Sequence, residues 1–208
     1  MKTFISFICL VTISIACNNQ NKEPITLDLN ENDSLSIKPN NVINPFDPID
    51  ISPMDMSYFP EDYPQKKMSK ETTDLPKARI IYSRPHLAGR RLFVNLLKYG
   101  EPWRLGANEA TEIDFYKSVT ILSKKFNPGR YVLYCIPEKD NWTIVFNSNI
   151  DSWGLHPDAS KDIDRFTIPI TMKEKSQEYL TIYFDPTKTG ADLVMRWGFI
   201  EARLPISF

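Results

Sequence analysis

The chain has 208 residues, of which 42% are hydrophobic and 25% charged, and its formal net charge is −1. This length accommodates one ordinary domain with appendages. The balanced charge argues against a nucleic-acid-binding protein, because such proteins normally carry a basic excess. The hydrophobic content excludes a wholly disordered chain, and three cysteines are too few for a disulfide-stabilised scaffold.

The first sixteen residues have the pattern of a targeting signal. Lys2 precedes the uncharged run Phe4–Ile15, which is shorter than the ~20 residues that span a membrane and has the length of a signal-peptide core. Small residues then lead to Cys17, as in the bacterial lipobox, where that cysteine receives lipid and becomes the mature N-terminus. The sequence therefore predicts a signal peptide over residues 1–16 and a lipid on Cys17. Ordinary cleavage after Ala16 is the alternative.

Composition changes along the rest of the chain. All seven glycines lie at position 89 or later, whereas eight of the sixteen prolines lie between Pro24 and Pro76. A Pro- and Asn-rich segment without glycine or tryptophan favours extended chain rather than a packed core. We therefore predict a flexible Asn-rich tether over residues 17–44, a Pro-rich strap over 45–77 and a folded domain over 78–208.

The strap carries apolar side chains on a segment that we expect to be irregular and non-helical. Phe46, Met54, Tyr58 and Phe59 lie among its prolines. Burying each such side chain against the domain would contribute about 1.5–3 kcal/mol. The alternative is a linear motif that binds a partner protein.

The folded domain has the pattern of an all-β protein. Short runs rich in Val, Ile, Thr, Tyr and Phe alternate with turn residues at the spacing of a sandwich or barrel. We predict a β-sandwich of eight or nine strands, with one short helix within Arg90–Tyr99. The predicted strands are Arg79–Ser83, Thr111–Tyr116, Val119–Leu122, Arg130–Ile136, Trp142–Asn147, Phe166–Met172, Tyr179–Asp185, Ala191–Trp197 and Ala202–Ile206.

One segment, residues 82–111, is unusually rich in arginine, tryptophan and glycine. Together with later blocks, it resembles the uncharacterised bacterial family named domain of unknown function 2911. The resemblance covers most of the chain after the signal, and it implies export and a common fold but no chemistry. The pieces that carry it include Tyr82–Pro85, Trp103–Thr111, Pro128–Tyr131 and Leu204–Ile206.

The same segment supplies a candidate binding site. Arginine forks bind carboxylate or phosphate in a bidentate manner, and a neighbouring tryptophan can stack on a sugar. The candidate ligand-binding residues are Arg84, Arg90, Trp103, Arg104, Asn108 and Glu109. They would form a cleft for a small anionic or carbohydrate ligand. The alternative is structural: Arg104 pairs with Glu109, Trp103 fills the core and Asn108 caps a turn.

Catalytic patterns are weak, and the catalytic residues stay unknown. The two histidines, His86 and His156, lie seventy positions apart without a nucleophile elbow or a zinc-ligand spacing. Glu109 with Glu112 or Asp114 could act as paired carboxylates, although solvated charges account for them equally well. We predict no metal and no cofactor, because phosphate loops and dinucleotide fingerprints are missing from the sequence.

Three functions remain open. The first is a lipid-anchored module of the cell envelope, on the periplasmic side or at the outer membrane, that binds a small anion or glycan. The second is an envelope assembly component that acts through protein contacts. The third is a hydrolase that uses Glu109 or His86.

Overall fold

A computed structural model describes residues 52–208, which contain a single antiparallel sheet of nine strands. The strand order is β1-β2-β3-β6-β7-β8-β9-β4-β5. The bounds are β1 Met54–Phe59, β2 Ala78–Ser83, β3 Thr111–Phe115, β4 Val119–Ile121, β5 Lys124–Phe126, β6 Gly129–Pro137, β7 Asn141–Asn147, β8 Asp162–Pro186 and β9 Gly190–Ser207. Helix α1 spans Tyr63–Met68, and single helical turns lie at Leu92–Leu96 and Ala159–Lys161.

The all-β prediction is confirmed, and the alternation of side chains explains it. In β3, Thr111, Ile113 and Phe115 are buried, while Glu112 and Asp114 between them are partly exposed. Successive side chains of a strand point to opposite faces, so this pattern places one face against the core.

The last four predicted strands correspond to two long strands, β8 and β9, in the structure. β8 first pairs with β7 and then continues along β9, and its register shifts on either side of Gln177. The polar residues between Met172 and Tyr179 led us to predict two separate strands here, and that prediction is wrong. An irregularity in the register bends a strand but does not end its pairing. Gly198, with a φ of +58°, marks the corresponding irregularity in β9.

The far end of the β8–β9 ribbon packs against the first strands, which gives the fold its sandwich-like core. The backbone N–H of Ile182 donates to the Tyr82 hydroxyl at 2.8 Å. The ring of Phe59 on β1 lies 6.1 Å from that of Phe184 on β8. One continuous cluster of buried apolar side chains lies between these elements.

The prediction of an irregular, non-helical strap is wrong for its described part. Met54–Phe59 pairs with β2 along its whole length, and Tyr63–Met68 is helical. Pro53 and Pro60 flank β1 and obscured it, but an edge strand tolerates proline at its ends because one side of its backbone needs no partner. The predicted signal peptide and tether, together with Cys17, lie outside the described residues.

A buried carboxylate holds the middle of the ribbon. Glu201 is 5% exposed and lies 3.0 Å from Lys173 Nζ, 3.3 Å from Arg196 Nε and 2.8 Å from Arg203 Nε. Burial opposes ionisation of Glu201, but hydrogen bonds from Arg203 and Lys173 outweigh it and hold the pKa of Glu201 below its usual value.

No helix within residues 52–208 has the length and apolar character to cross a membrane.

Candidate functional site

The candidate residues lie on the connection between β2 and β3. Trp103 exchanges two backbone hydrogen bonds with Cys135 of β6, each 2.7 Å long, which ties this connection to the sheet. Leu105, with a φ of +54°, turns the chain inward and is fully buried. The Thr111 hydroxyl donates to the Leu105 carbonyl at 2.9 Å.

Trp103 packs against two core tryptophans. Its ring stacks on Trp197 at 5.5 Å and meets Trp142 edge-on at 5.8 Å. Its indole N–H donates to the Gly106 carbonyl at 3.0 Å. The ring remains half-buried, so it contributes to the core and to a pocket wall at the same time.

Arg84 joins the two layers of the fold. Its Nε donates to the Leu180 carbonyl at 3.0 Å, and its Nη2 donates to the Thr181 hydroxyl at 2.9 Å. Nη1 lies 3.4 Å from an Asp55 carboxylate oxygen, and the guanidinium lies 5.7 Å from the centre of the Tyr179 ring. All three guanidinium nitrogens of Arg84 therefore have partners within the protein.

Arg90 forms hydrogen bonds within the loop on which it lies. Its Nε donates to the carbonyl of Leu87 and its Nη2 to that of His86, both at 2.9 Å. The side chain is otherwise exposed. The charge of Arg90 therefore remains available to a nearby ligand, although its donors are largely engaged.

The last three candidates lie around the next turn. Arg104 Nη1 donates to the Trp153 carbonyl at 3.5 Å. Asn108, with a φ of +57°, donates from Nδ2 to the Ser52 carbonyl at 3.4 Å. This turn position agrees with the structural role that the sequence left open for Asn108. Glu109 is exposed.

Two pockets flank this turn. The first, which we call the tryptophan pocket, has a volume of about 310 Å³. The second, of about 300 Å³, has a carboxylate-rich wall that includes Glu109, Glu112 and Asp151. The tryptophan pocket is lined by Pro85, Leu96, Leu97, Lys98, Glu101, Pro102, Trp103, Arg104, Gly106, Ala107, Gly154, Leu155 and Trp197.

These two pockets contain only three of the six candidates. The tryptophan pocket contains Trp103 and Arg104, whereas Glu109 lines the carboxylate-rich pocket. Arg84 lines neither of them because its guanidinium is directed toward β8. The predicted convergence of Arg84 and Arg104 in one cleft therefore does not occur in either pocket.

Sequence reasoning missed several residues of the tryptophan pocket. Trp197 comes from β9, and Leu155 comes from the loop before β8. Lys98 adds a cation to the wall and forms an exposed ion pair with Glu101 at 3.2 Å. Leu193, Met195 and Trp197 lie at alternate positions of β9 and are buried, but no local signal in the sequence brings Trp197 to Trp103.

Two of the carboxylates considered for catalysis, and the one described cysteine, have structural surroundings. Glu112 and Asp114 lie 3.5 and 3.3 Å from Arg130, and Asp114 also accepts from Arg79 Nε at 2.9 Å. Cys135 is fully buried, and burial raises the pKa of its thiol well above its ordinary value, which disfavours the thiolate.

The two histidines lie in different surroundings, and the described residues contain no cluster suited to a metal ion. The His86 ring packs on Tyr179 with centres 5.3 Å apart, and His156 is exposed. Among residues 52–208, no three His, Cys, Asp or Glu side chains come together in an arrangement that could hold a metal ion.

Comparisons with known proteins identify a family but no activity. Neither the curated proteins nor the solved structures gave a significant match. One family model matches residues 64–206, which include most of the described sheet, and confirms the resemblance found in the sequence. The chain therefore belongs to the family described as protein of unknown function (DUF2911).

Proposed function

We propose that this protein is a lipid-anchored module of the cell envelope that binds a small anionic or carbohydrate ligand in the tryptophan pocket. The observation that carries the proposal is the pocket itself, in which an aromatic wall and two cations meet. Its volume of about 310 Å³ is at the lower end of the ~300–1,000 Å³ typical of small-molecule sites.

The lining of the pocket favours a ligand with both apolar and anionic parts. Trp103 and Trp197 provide rigid aromatic surface, and an amphipathic indole suits the apolar face of a sugar ring. Arg104 and Lys98 lie in the same wall, opposed by the single carboxylate of Glu101. A sugar acid or a phosphorylated sugar would use both features.

Anchoring follows from the start of the chain. Cys17 in its small-residue context would carry the lipid, and residues 17–44 would separate the binding domain from the membrane surface. A single acyl chain binds membranes only marginally, so stable attachment requires the multiple chains of a bacterial lipoprotein.

A thermal-shift screen tests the binding function. The full chain carrying Cys17→Ser would be heated with sugars, sugar acids, phosphates and dicarboxylates. A ligand at 100 times its Kd stabilises the native state by about 2.7 kcal/mol, which raises the Tm by about 5–11 °C for a chain of this size.

Arg104→Ala separates binding from stability. If the proposal is correct, the variant stays folded and loses the shift, while the exposed-site control Lys125→Ala keeps it. The absence of a shift from every compound, or a shift that Arg104→Ala leaves unchanged, would contradict the proposed site.

A further inference from the structure

The turn at Leu92–Leu96 separates the tryptophan pocket from another pocket with different chemistry. Leu96 lines the tryptophan pocket, whereas Leu92 and Phe93 line the other, which has a volume of about 330 Å³. We call this second cavity the basic-rimmed pocket. Further apolar wall comes from Leu87 and from the β8–β9 ribbon at Ile170 and Ile200.

The mouth of the basic-rimmed pocket exposes large apolar side chains. Met172 is 66% exposed and Phe199 is 49% exposed. Tyr99 is also half exposed, and its ring stacks on Phe93 with centres 4.1 Å apart. Clustered apolar surface around a cavity marks a binding site more often than single exposed residues do.

The irregularity in β9 contributes to the shape of this cavity. Gly198 lines the pocket and has a φ of +58°, a conformation that side-chain-bearing residues rarely adopt. A Cβ built at this position would meet only Leu92 Cδ2, at 3.9 Å, within 4 Å. The cavity therefore lies where the bend of the ribbon leaves space beside the turn.

The charges on the pocket wall have one sign. Arg90, Arg91 and Lys139 line it, and none of its lining residues is acidic. Among residues 52–208, no carboxylate lies within ion-pair distance of these three cations. An apolar cavity with a cationic rim is complementary to an anionic head group on an apolar chain.

We propose that the basic-rimmed pocket binds an aliphatic carboxylate, with the chain against Leu92, Phe93 and Ile200 and the head group beside Arg91 and Lys139. A sugar or free phosphate would leave the apolar wall in contact with water, whereas an aliphatic chain would cover it. A flat membrane would not fill a cavity whose walls are partly buried. This site is separate from the tryptophan pocket and does not depend on the function proposed there.

Isothermal titration with decanoate below its micelle concentration tests the site on the full chain carrying Cys17→Ser. We expect saturable binding of one decanoate, and octanoate should bind up to about fifteenfold more weakly because two buried methylenes are lost. Inorganic phosphate, which has the charge without the chain, should not displace bound decanoate. 1-Decanol, which has the chain without the charge, should bind more weakly than decanoate.

Variants assign the site. Arg91→Glu with Lys139→Glu should weaken decanoate binding at least fivefold and abolish the preference over 1-decanol, because the rim becomes anionic. The control pair, Lys125→Glu with Lys188→Glu, makes the same change of net charge at exposed residues outside the pocket and should bind like the parent protein.

A second variant probes the apolar mouth. Phe199→Ser should weaken decanoate and 1-decanol equally without unfolding the protein, because the ring is already half exposed. Arg104→Ala should leave decanoate binding unchanged, so failure of this site and failure of the tryptophan pocket are distinguishable.

Three results would overturn the inference. The first is no decanoate binding by the folded protein. The second is decanoate binding that the reversed rim leaves unchanged. The third is attachment to anionic phosphatidylglycerol vesicles, lost in the Arg91 and Lys139 variant, without binding of monomeric decanoate; it would make this face a membrane-contact surface.

Discussion

Replacement of Arg84 by methionine distinguishes a structural arginine from a ligand-binding one. Methionine keeps most of the apolar length of the side chain but has no donor. In the native protein, Arg84 donates to the carbonyl of Leu180 and to the hydroxyl of Thr181. Leu180 is fully buried, and its backbone N–H donates to the Pro85 carbonyl at 2.9 Å. Proline has no N–H to return this bond, so the Leu180 carbonyl accepts from Arg84 instead.

The expected cost follows from these contacts. Hydrogen bonds that involve a charged group contribute about 1.5–3 kcal/mol, and a buried carbonyl left without a donor costs about 1–3 kcal/mol. These amounts describe partly the same loss and do not simply add. The ion pair with Asp55 contributes little, because it is 3.4 Å long and that carboxylate is 39% exposed. We therefore expect Arg84→Met to lower the free energy of unfolding by about 2–4 kcal/mol.

Urea unfolding, followed by tryptophan fluorescence, measures this change. Arg84→Lys should recover less than half of the loss, since one ammonium group cannot reach the carbonyl and the hydroxyl with the geometry of a fork. A double-mutant cycle with Thr181→Val should give a coupling energy of about 1 kcal/mol. A loss below about 0.5 kcal/mol in Arg84→Met would refute the structural role and return Arg84 to the candidate ligand-binding residues.

Three further predictions concern the ribbon, a close backbone approach and the anchor. Glu201→Gln should cost about 2–3 kcal/mol near pH 7, because three cations lose their shared carboxylate. The pKa of Glu201 is lower in the folded protein than its value near 4.5 in the unfolded chain, so ionised Glu201 stabilises the fold above pH 4.5. This stabilisation is lost as the pH falls below 4.5. The free energy of unfolding, measured from pH 7 to 3, should therefore fall less steeply in Glu201→Gln than in the parent protein. Gly190→Ala should cost about 2–3 kcal/mol in thermal or urea unfolding, because its Cβ would lie 2.0 Å from the Ile206 carbonyl oxygen; an unchanged midpoint would contradict the packing at this turn. Cys17→Ser should convert a membrane-pelleting protein into a soluble or unprocessed one, and unchanged fractionation would remove the lipid anchor.

Much of the fold was predictable because strand formation has a local signature. Alternation of apolar and polar residues identified seven of the nine strands, in whole or as parts of longer ones. It failed for β1, whose flanking prolines hid an edge strand, and for β5, which spans only Lys124–Phe126. It also divided β8, because the polar residues around Gln177 resemble a loop when the pairing partner is unknown.

The candidate site was less predictable because its residues act through distant partners. Composition marked residues 82–111 as informative, and Trp103 and Arg104 do line one pocket. The same composition placed Arg84 beside them, whereas its donors reach residues 96 and 97 positions away. The residue pattern of one segment does not show which distant groups its side chains will contact.

The sequence by itself determined the all-β class and the membership of the family, since both depend on residue type and short spacing. The tertiary structure alone decided which side chains meet. The ribbon of β8 and β9 packs back on β1 and β2, so Trp197 reaches Trp103 while Arg84 is engaged by Leu180. The physical reason is that packing of the ribbon brings together groups that are far apart in the chain, and the pockets are the spaces that this packing leaves.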